Sequence, residues 1–95
     1  MYLVARSKSF EKSYRKLKKS GAFKLATRKD LEEIIVTLSA GKRLDTSYSD
    51  HQLKGEFKDY RECHIKADLL LVYRIDENEG IIVLIDIGSH SQLFE

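Results

Sequence analysis

Two apolar runs separated by a short polar turn constrain the fold more than any other feature of the sequence. Residues 69–75 and 81–87 are almost continuously apolar, as is typical of central β-strands. The intervening residues 76–80 include Asp76 and Gly80, which favour a turn. A connection this short forces the two strands to pair antiparallel. The sequence therefore predicts a β-hairpin at the centre of a sheet.

A third strand is predicted over residues 60–66, immediately before the hairpin. Alternation along this segment places Glu62 and His64 on one face of the sheet and Arg61 and Cys63 on the other. A tight two-residue turn then leads into the hairpin. We therefore expect three consecutive antiparallel strands.

The first half of the chain has helical rather than strand periodicity. A first helix is predicted to begin at Ser7 or Ser9, both good N-caps, and to end near residue 20. Its apolar face consists of Phe10, Tyr14 and Leu17. A second helix is predicted over residues 23–39, with a stripe formed by Leu31, Ile34, Ile35 and Leu38. Because the connection between them is short, the two helices should form an antiparallel hairpin.

These elements together predict an α+β fold. An N-terminal helical hairpin should pack on one face of a small, twisted antiparallel sheet. Residues 1–5 are predicted as an edge strand, and the polar stretch 44–58 as a long loop with at most a short strand near residues 51–54. The chain has 95 residues, no proline and no recognisable repeat or linker, so we expect a single domain over residues 1–95.

Composition excludes several classes of protein. Hydrophobic residues make up 42% of the chain and charged residues 34%, a balance typical of globular rather than disordered proteins. The longest apolar run is far too short to cross a membrane, and the first residues lack a signal-peptide core. Cys63 is the sole cysteine, which excludes an internal disulfide and a cysteine-based zinc site. We therefore expect a cytoplasmic protein without a membrane partner.

Charge is distributed unevenly along the chain. Residues 1–43 carry 12 Lys/Arg and 4 Asp/Glu, a net charge of +8, whereas residues 44–95 carry 5 and 11, a net charge of −6. A basic half on so small a protein indicates a polyanionic partner, most often nucleic acid or an acidic peptide. The alternative is that these cations form the solvated faces of the two helices.

The three histidines of the chain all lie in its second half, at His51, His64 and His90. Histidine is the side chain best suited to move protons near neutral pH. From the residues alone, three interpretations stay open: acid–base catalysis with Asp68 as a nearby carboxylate, a zinc site built from the same four residues, or no shared role. A nucleophilic role for Cys63 is disfavoured because its strand face points to the core.

Four short blocks follow one another in the second half of the chain. They are Asp50–Gly55 (DHQLKG), Tyr60–Lys66 (YRECHIK), Asp68–Tyr73 (DLLLVY) and Gly88–Phe94 (GSHSQLF). In this order they resemble the YafQ branch of the RelE/ParE toxin superfamily, which comprises small bacterial toxins of toxin–antitoxin pairs that cleave mRNA. The resemblance covers about half of the chain.

This resemblance implies a fold and an activity. The fold would be two helices against a twisted antiparallel sheet. The activity would be that of a metal-independent endoribonuclease without a cofactor, acting on mRNA in the ribosome and blocked by a cognate antitoxin. The family's active-site positions correspond to His51, His64, Asp68, His90 and Phe94.

The residue types at these positions suit cleavage of RNA by its own 2′-OH. Two histidines could serve as general base and general acid, and the third, or a cation, could stabilise the phosphorane. Asp68 could orient a histidine or accept a proton, and Phe94 could stack on an unpaired base. Candidate phosphate contacts are Lys54, Arg61 and Arg74. Cations that could extend the RNA-binding surface are Lys16, Lys18 and Lys19.

The sequence departs from the family pattern at Asp86. Many relatives carry a basic residue four positions before the last histidine, where this chain has an acid. This departure favours one alternative, an inactive RelE-fold module that only binds an antitoxin and helps to repress its operon. A second alternative is a toxin of the ParE branch, which acts on DNA gyrase and generally lacks the three histidines.

Overall fold

The computed structural model describes residues 1–94, which form five strands and three α-helices. In chain order these elements are β1 (Leu3–Arg6), α1 (Lys8–Lys19), α2 (Leu25–Ser39), β2 (His51–Gln52), β3 (Arg61–Lys66), β4 (Leu69–Asp76), β5 (Ile81–Gly88) and α3 (His90–Phe94). Short 3-10 turns at Thr46–Tyr48 and Gly55–Phe57 flank β2.

The strands form one sheet in the order β1-β5-β4-β3-β2. As predicted, β3, β4 and β5 are consecutive antiparallel neighbours, and β2 adds to β3 antiparallel. The prediction of a purely antiparallel sheet is wrong at one edge, because β1 pairs with β5 in parallel, from Leu3 opposite Ile81 to Arg6 opposite Leu84. Parallel partners are joined by long crossovers, so no local turn signal reports their pairing.

Ser7 connects the first helix to the sheet. Its Oγ accepts a hydrogen bond from the backbone N–H of Phe10 at 3.0 Å, which caps α1, and donates to the carbonyl of Ile85 at 2.6 Å. The cap satisfies one of the free N–H groups at the helix start. Phe10 is consequently directed inward and is 1% exposed.

The core lies between the two long helices and one face of the sheet. Its buried members from the helices are Phe10, Leu31, Ile34 and Leu38, and from the sheet Cys63, Ile65, Leu71, Tyr73, Ile82, Leu84 and Ile87. Burial raises the pKa of the Cys63 thiol to about 12, so the reactive thiolate is not formed near neutral pH. Cys63 therefore serves as a small apolar core residue.

The opposite face of the sheet is not covered by α1 or α2. Strand alternation places Glu62 and His64 on this face, while Arg61 and Cys63 point toward the helices. None of the helices within residues 1–94 has the length and apolarity needed to cross a membrane. We refer below to the helix-covered face and the histidine face of the sheet.

Candidate active site

The three histidine rings form a row on the histidine face. The ring centres of His51 and His64 are 6.3 Å apart, and those of His64 and His90 are 5.7 Å apart. Phe94 continues the row, with its ring centre 6.5 Å from that of His90. The structure therefore brings together side chains from β2, β3 and α3 that are separated by up to 43 positions in the chain.

Glu62 lies between two of these histidines. His51 is paired directly with Glu62 across β2 and β3. The Glu62 carboxylate is only 4% exposed, and its Oε1 is 3.5 Å from Nε2 of His51 and 3.4 Å from Nε2 of His64. Sequence reasoning did not include Glu62 in the site. The signal was present, since Glu62 and His64 alternate onto the same face of one strand.

Asp68 holds His90 at the start of α3. One carboxylate oxygen, Oδ1, accepts hydrogen bonds from both the backbone N–H and the ring Nδ1 of His90, each at 3.1 Å. Because Nδ1 faces a carboxylate, it carries the proton, and Nε2 is the ring nitrogen with a free lone pair. His51 has a similar arrangement, with Nδ1 2.7 Å from the carbonyl oxygen of Ser49.

The position of His90 also depends on the short sequence around it. Ser89 and Gln92 form a capping box, in which the Ser89 N–H donates to Gln92 Oε1 at 2.9 Å and the Gln92 N–H donates to Ser89 Oγ at 3.2 Å. A Cβ atom at Gly88 would lie 2.8 Å from Gln92 Oε1. Gly88 therefore gives the capping box the space to close.

The Asp68 contact predicts how α3 responds to acid. The pKa of Asp68 lies below its ordinary value, chiefly because the carboxylate accepts the backbone N–H of His90 and also its ring N–H. A lowered pKa means that the contact stabilises the folded state above the unfolded-state value and is lost as pH falls through the folded value. We therefore expect the Asp68–His90 contact to persist at neutral pH and to be lost only below about pH 4.

An NMR titration of the His90 amide measures this transition. Asp68→Asn should remove the acid transition, while Asp59→Asn, an exposed aspartate on the loop before β3, should leave it in place. Loss of the Asp68–His90 contact at or above the ordinary aspartate pKa would contradict the assignment.

Two aromatic rings border the row of histidines. Phe94 packs edge to face against Phe57, with ring centres 5.6 Å apart. Phe94 is 36% exposed, so part of one ring face is available to a base. Sequence reasoning predicted Phe94 but not Phe57, which lies in a 3-10 turn without regular periodicity.

The three candidate phosphate contacts have different surroundings. Lys54 is exposed on the loop that follows β2. Arg74 also lies on the histidine face, but it is four positions along β4 from Leu70, the strand neighbour of His64. Its Nη1 is 3.7 Å from a carboxylate oxygen of Asp76. Arg61 requires a correction, because strand alternation directs it to the helix-covered face, where Nη2 is 3.1 Å from an Asp50 oxygen. The structure does not bring Arg61 to the histidines.

The three lysines of α1 also differ in their surroundings. Lys16 borders a groove of about 880 Å³ that Asp68 and Ser89 also line but that none of the three histidines lines. Lys18 instead lies over the ring of Tyr14, with Nζ 4.8 Å from the ring centre. Lys19 is exposed near the end of the helix.

Asp86 lies beside the site, on β5. It pairs with Val72, which in turn pairs with Glu62, so its side chain belongs to the histidine face. The Asp86 carboxylate accepts the N–H of Ile87 at 2.8 Å. An acid therefore occupies the position where the sequence resemblance led us to expect a cation.

Three side chains of the site have the chemistry of metal ligands. Within residues 1–94, one ligand atom each from Glu62, His64 and His90 lie within 4.8 Å of one another. Imidazole nitrogen and carboxylate oxygen suit transition metals such as zinc and copper. The same atoms could therefore either transfer protons or hold an ion.

Comparison with known proteins identifies the family. The model of a bacterial toxin of type II toxin–antitoxin systems, YafQ, matches residues 2–95. The chain belongs to the YafQ toxin family. The family resemblance predicted from residues 50–94 is thus confirmed, and the match extends over nearly the whole chain.

Individual YafQ relatives agree in fold and in part of their sequence. A metal-bound toxin from Helicobacter pylori is 45% identical, with 99% of this chain and 100% of that one covered and a TM-score of 0.88. A chain of the Escherichia coli DinJ–YafQ complex has the same fold at 24% identity, with a TM-score of 0.83 and both chains covered completely. The mRNA interferase toxin YafQ of Escherichia coli K12 is 33% identical over 51 residues, which are 54% of this chain and 53% of that one. The matching segment spans about half the length of that relative.

Proposed function

We propose that this chain is the toxin of a type II toxin–antitoxin pair and cleaves mRNA as a metal-independent endoribonuclease. The observation that carries the proposal is the row of three imidazoles with two carboxylates and an aromatic ring on one face of the sheet. This set supplies a base, an acid and a stacking surface, with neighbouring ring centres 5.7–6.5 Å apart. Membership of the YafQ family supports the same activity.

The proposed reaction uses the RNA as its own nucleophile. A base removes the proton of the 2′-OH, the 2′ oxygen bonds to the phosphorus, and the P–O5′ bond breaks as an acid protonates the leaving oxygen. The products are a 2′,3′-cyclic phosphate and a free 5′-OH. Nε2 of His90 is suited to one of these proton transfers because Asp68 fixes the other ring nitrogen. His51 and His64 supply the second transfer and a cation for the phosphorane.

Binding of RNA is assigned to the aromatic ring beside His90 and to cations elsewhere on the chain. Phe94, supported by Phe57, stacks on an unpaired base, a contact worth about 1–3 kcal/mol. Lys54 and Lys16 are candidate contacts to RNA phosphates. The basic half of the chain, residues 1–43, extends this surface.

The proposed partners are an antitoxin and mRNA on the ribosome, in the bacterial cytoplasm. A chain of the solved DinJ–YafQ complex of Escherichia coli has the same fold, which motivates the proposal of an antitoxin partner. The net charge of +8 over residues 1–43 suits an acidic antitoxin segment as well as RNA. We propose that residues 1–95 act as a single domain in both interactions.

Expression of the chain without an antitoxin tests this function. Growth should stop and ribosome-bound mRNA should be cut in extracts containing EDTA, whereas co-expressed antitoxin should restore growth. Unimpaired growth with intact mRNA would contradict the proposal. Tight antitoxin binding without cleavage would select the inactive binding module that Asp86 favours, and loss of gyrase supercoiling would select a target other than RNA.

We further infer that a transition-metal ion inhibits this site by occupying Glu62, His64 and His90. The 4.8 Å grouping of their ligand atoms supports this inference, as does the metal-bound toxin from Helicobacter pylori. A bound ion takes the imidazole lone pairs that proton transfer needs. Stoichiometric Zn²⁺ or Cu²⁺ should therefore suppress RNA cleavage, and EDTA should restore the full rate.

Calorimetric titration with each metal, run beside the cleavage assay, checks both parts of this inference. Glu62→Gln should weaken binding, while Glu32→Gln, an exposed glutamate on α2, serves as the matched control. Loss of cleavage in EDTA, or stimulation by the metal, would show that the ion is catalytic instead.

A further inference from the structure

Three polar side chains are joined to one another by hydrogen bonds on the helix-covered face, behind the row of histidines. The Tyr73 hydroxyl donates to Asp50 Oδ1 at 2.6 Å, Arg61 Nη2 donates to Asp50 Oδ2 at 3.1 Å, and Arg61 Nε donates to the Tyr73 oxygen at 3.3 Å. Both carboxylate oxygens of Asp50 are thus engaged by donors from β3 and β4. We call these three residues the Asp50 lock.

The Asp50 lock has features of a rigid contact. Tyr73 is fully buried, and the side chains of Arg61 and Asp50 are 31% and 20% exposed. Burial, followed by the hydrogen bond to Asp50, raises the pKa of Tyr73, so its hydroxyl stays protonated and remains a donor. Hydrogen bonds to an ionised partner are stronger than neutral ones, more so where water is partly excluded.

Asp50 immediately precedes His51 on a short strand. Besides its pairing with β3, this strand is held through Gln52, which donates to the Tyr60 carbonyl at 3.2 Å and accepts from Arg61 Nη1 at 3.3 Å. β2 is only two residues long and lies at the edge of the sheet, where it pairs with β3 at His51 and Gln52. Ser49, whose carbonyl faces the His51 ring, adopts a left-handed backbone conformation with φ of 50°. A side-chain anchor next to this segment therefore restricts where the His51 ring can lie.

We propose that Asp50 is a positioning residue for His51, held in place by Arg61 and Tyr73. The proposal rests on the proposed ribonuclease function and assigns Arg61 to this lock rather than to an RNA phosphate. The carboxylate anchors the chain from one face of the sheet while the next side chain projects from the other. Misplacement of a reacting group by about 1 Å can cost up to about 100-fold in rate.

Two substitutions weaken the lock while keeping the carbon skeleton of each side chain in place. Asp50→Asn turns one acceptor oxygen into an NH₂ donor that faces another donor, and Tyr73→Phe removes a single hydroxyl while preserving the ring. Each should lower kcat for an RNA oligonucleotide by about 10- to 100-fold. KM should change by less than about twofold, because neither side chain touches RNA. Asp59→Asn is the matched control and should keep the full rate.

A double-mutant cycle separates positioning from general destabilisation. If Asp50 acts through His51, Asp50→Asn should add little to the loss caused by His51→Ala. A full additional loss in the double variant would overturn the proposal. Arg61→Gln should likewise lower kcat, and a higher KM with a flatter salt dependence would instead return Arg61 to RNA binding.

An NMR readout tests the lock independently of activity. In Tyr73→Phe, the ring signals of His51 should shift or broaden while those of His90 stay in place. Unchanged His51 signals would overturn the positioning role, whether or not the wild-type chain cleaves RNA. Absence of cleavage by the wild type, with the His51 shift observed, would defeat the proposed function and leave the positioning intact.

Discussion

Replacing His64 or His90 with alanine is expected to lower RNA cleavage by about 10²–10⁴-fold each, because each removes a group placed to transfer a proton or stabilise charge. The two ring centres are 5.7 Å apart, close enough to act on one phosphate. The side chains are 27% and 57% exposed, so truncation leaves the core intact. Single-turnover cleavage in EDTA, with thermal unfolding measured in parallel, checks both parts of this expectation.

The double variant gives a further criterion. When two residues act as a unit, the first substitution already removes most of the rate enhancement that they provide together. The double variant His64→Ala/His90→Ala should therefore lose far less cleavage rate than the product of the two single losses. Expression of either single variant without antitoxin should restore growth. Asn78→Ala, on the exposed turn between β4 and β5, is the control. A single histidine variant that cuts RNA at the wild-type rate would remove that histidine from the mechanism.

Substitution of Glu62 by glutamine is expected to have the next largest effect. The buried carboxylate is 3.4 Å and 3.5 Å from Nε2 of two imidazoles and can accept a hydrogen bond from either ring when that nitrogen carries a proton. A hydrogen bond to a charged group contributes about 1.5–3 kcal/mol, which corresponds to a rate loss of about 10- to 150-fold if it is made in the transition state. Single-turnover rates of the purified variant measure this loss.

Glutamine keeps the shape and one acceptor oxygen of glutamate, so the Glu62→Gln variant isolates the contribution of the charge. The same substitution at Glu32, on the exposed side of α2, should leave the rate unchanged. Wild-type cleavage by Glu62→Gln would mean that the carboxylate only helps to pack the histidines.

Local patterns explain which elements could be predicted from the sequence. The β4–β5 hairpin agrees with its prediction to within one residue at each end because both strands are long, apolar and joined by a short turn. Ser7 identifies the start of α1 through its capping side chain. The parallel pairing of β1 with β5 and the five-residue helix α3 were not predicted, since neither leaves a periodic signal in adjacent residues.

Prediction of the candidate site depended more on the family resemblance than on patterns of residues. From the residues alone, catalysis, metal binding and no shared role all stayed open for the three histidines. Their proximity results from the register of β2 on β3 and from Asp68 docking α3, which are tertiary contacts. Strand alternation, by contrast, could have included Glu62 and excluded Arg61. Hydrogen bonds to Asp50 and Tyr73 hold the Arg61 side chain on the helix-covered face.

The central claim is that this cluster makes RNA cleave itself without a metal. The most direct test is an RNA with a single 2′-deoxynucleotide on the 5′ side of the scissile phosphate, incubated with the purified chain in EDTA beside the all-ribose control. We predict that the control is cut to a 2′,3′-cyclic phosphate while the substituted RNA stays intact at that position. Cleavage of the deoxy substrate, or an intact control, would contradict the claim.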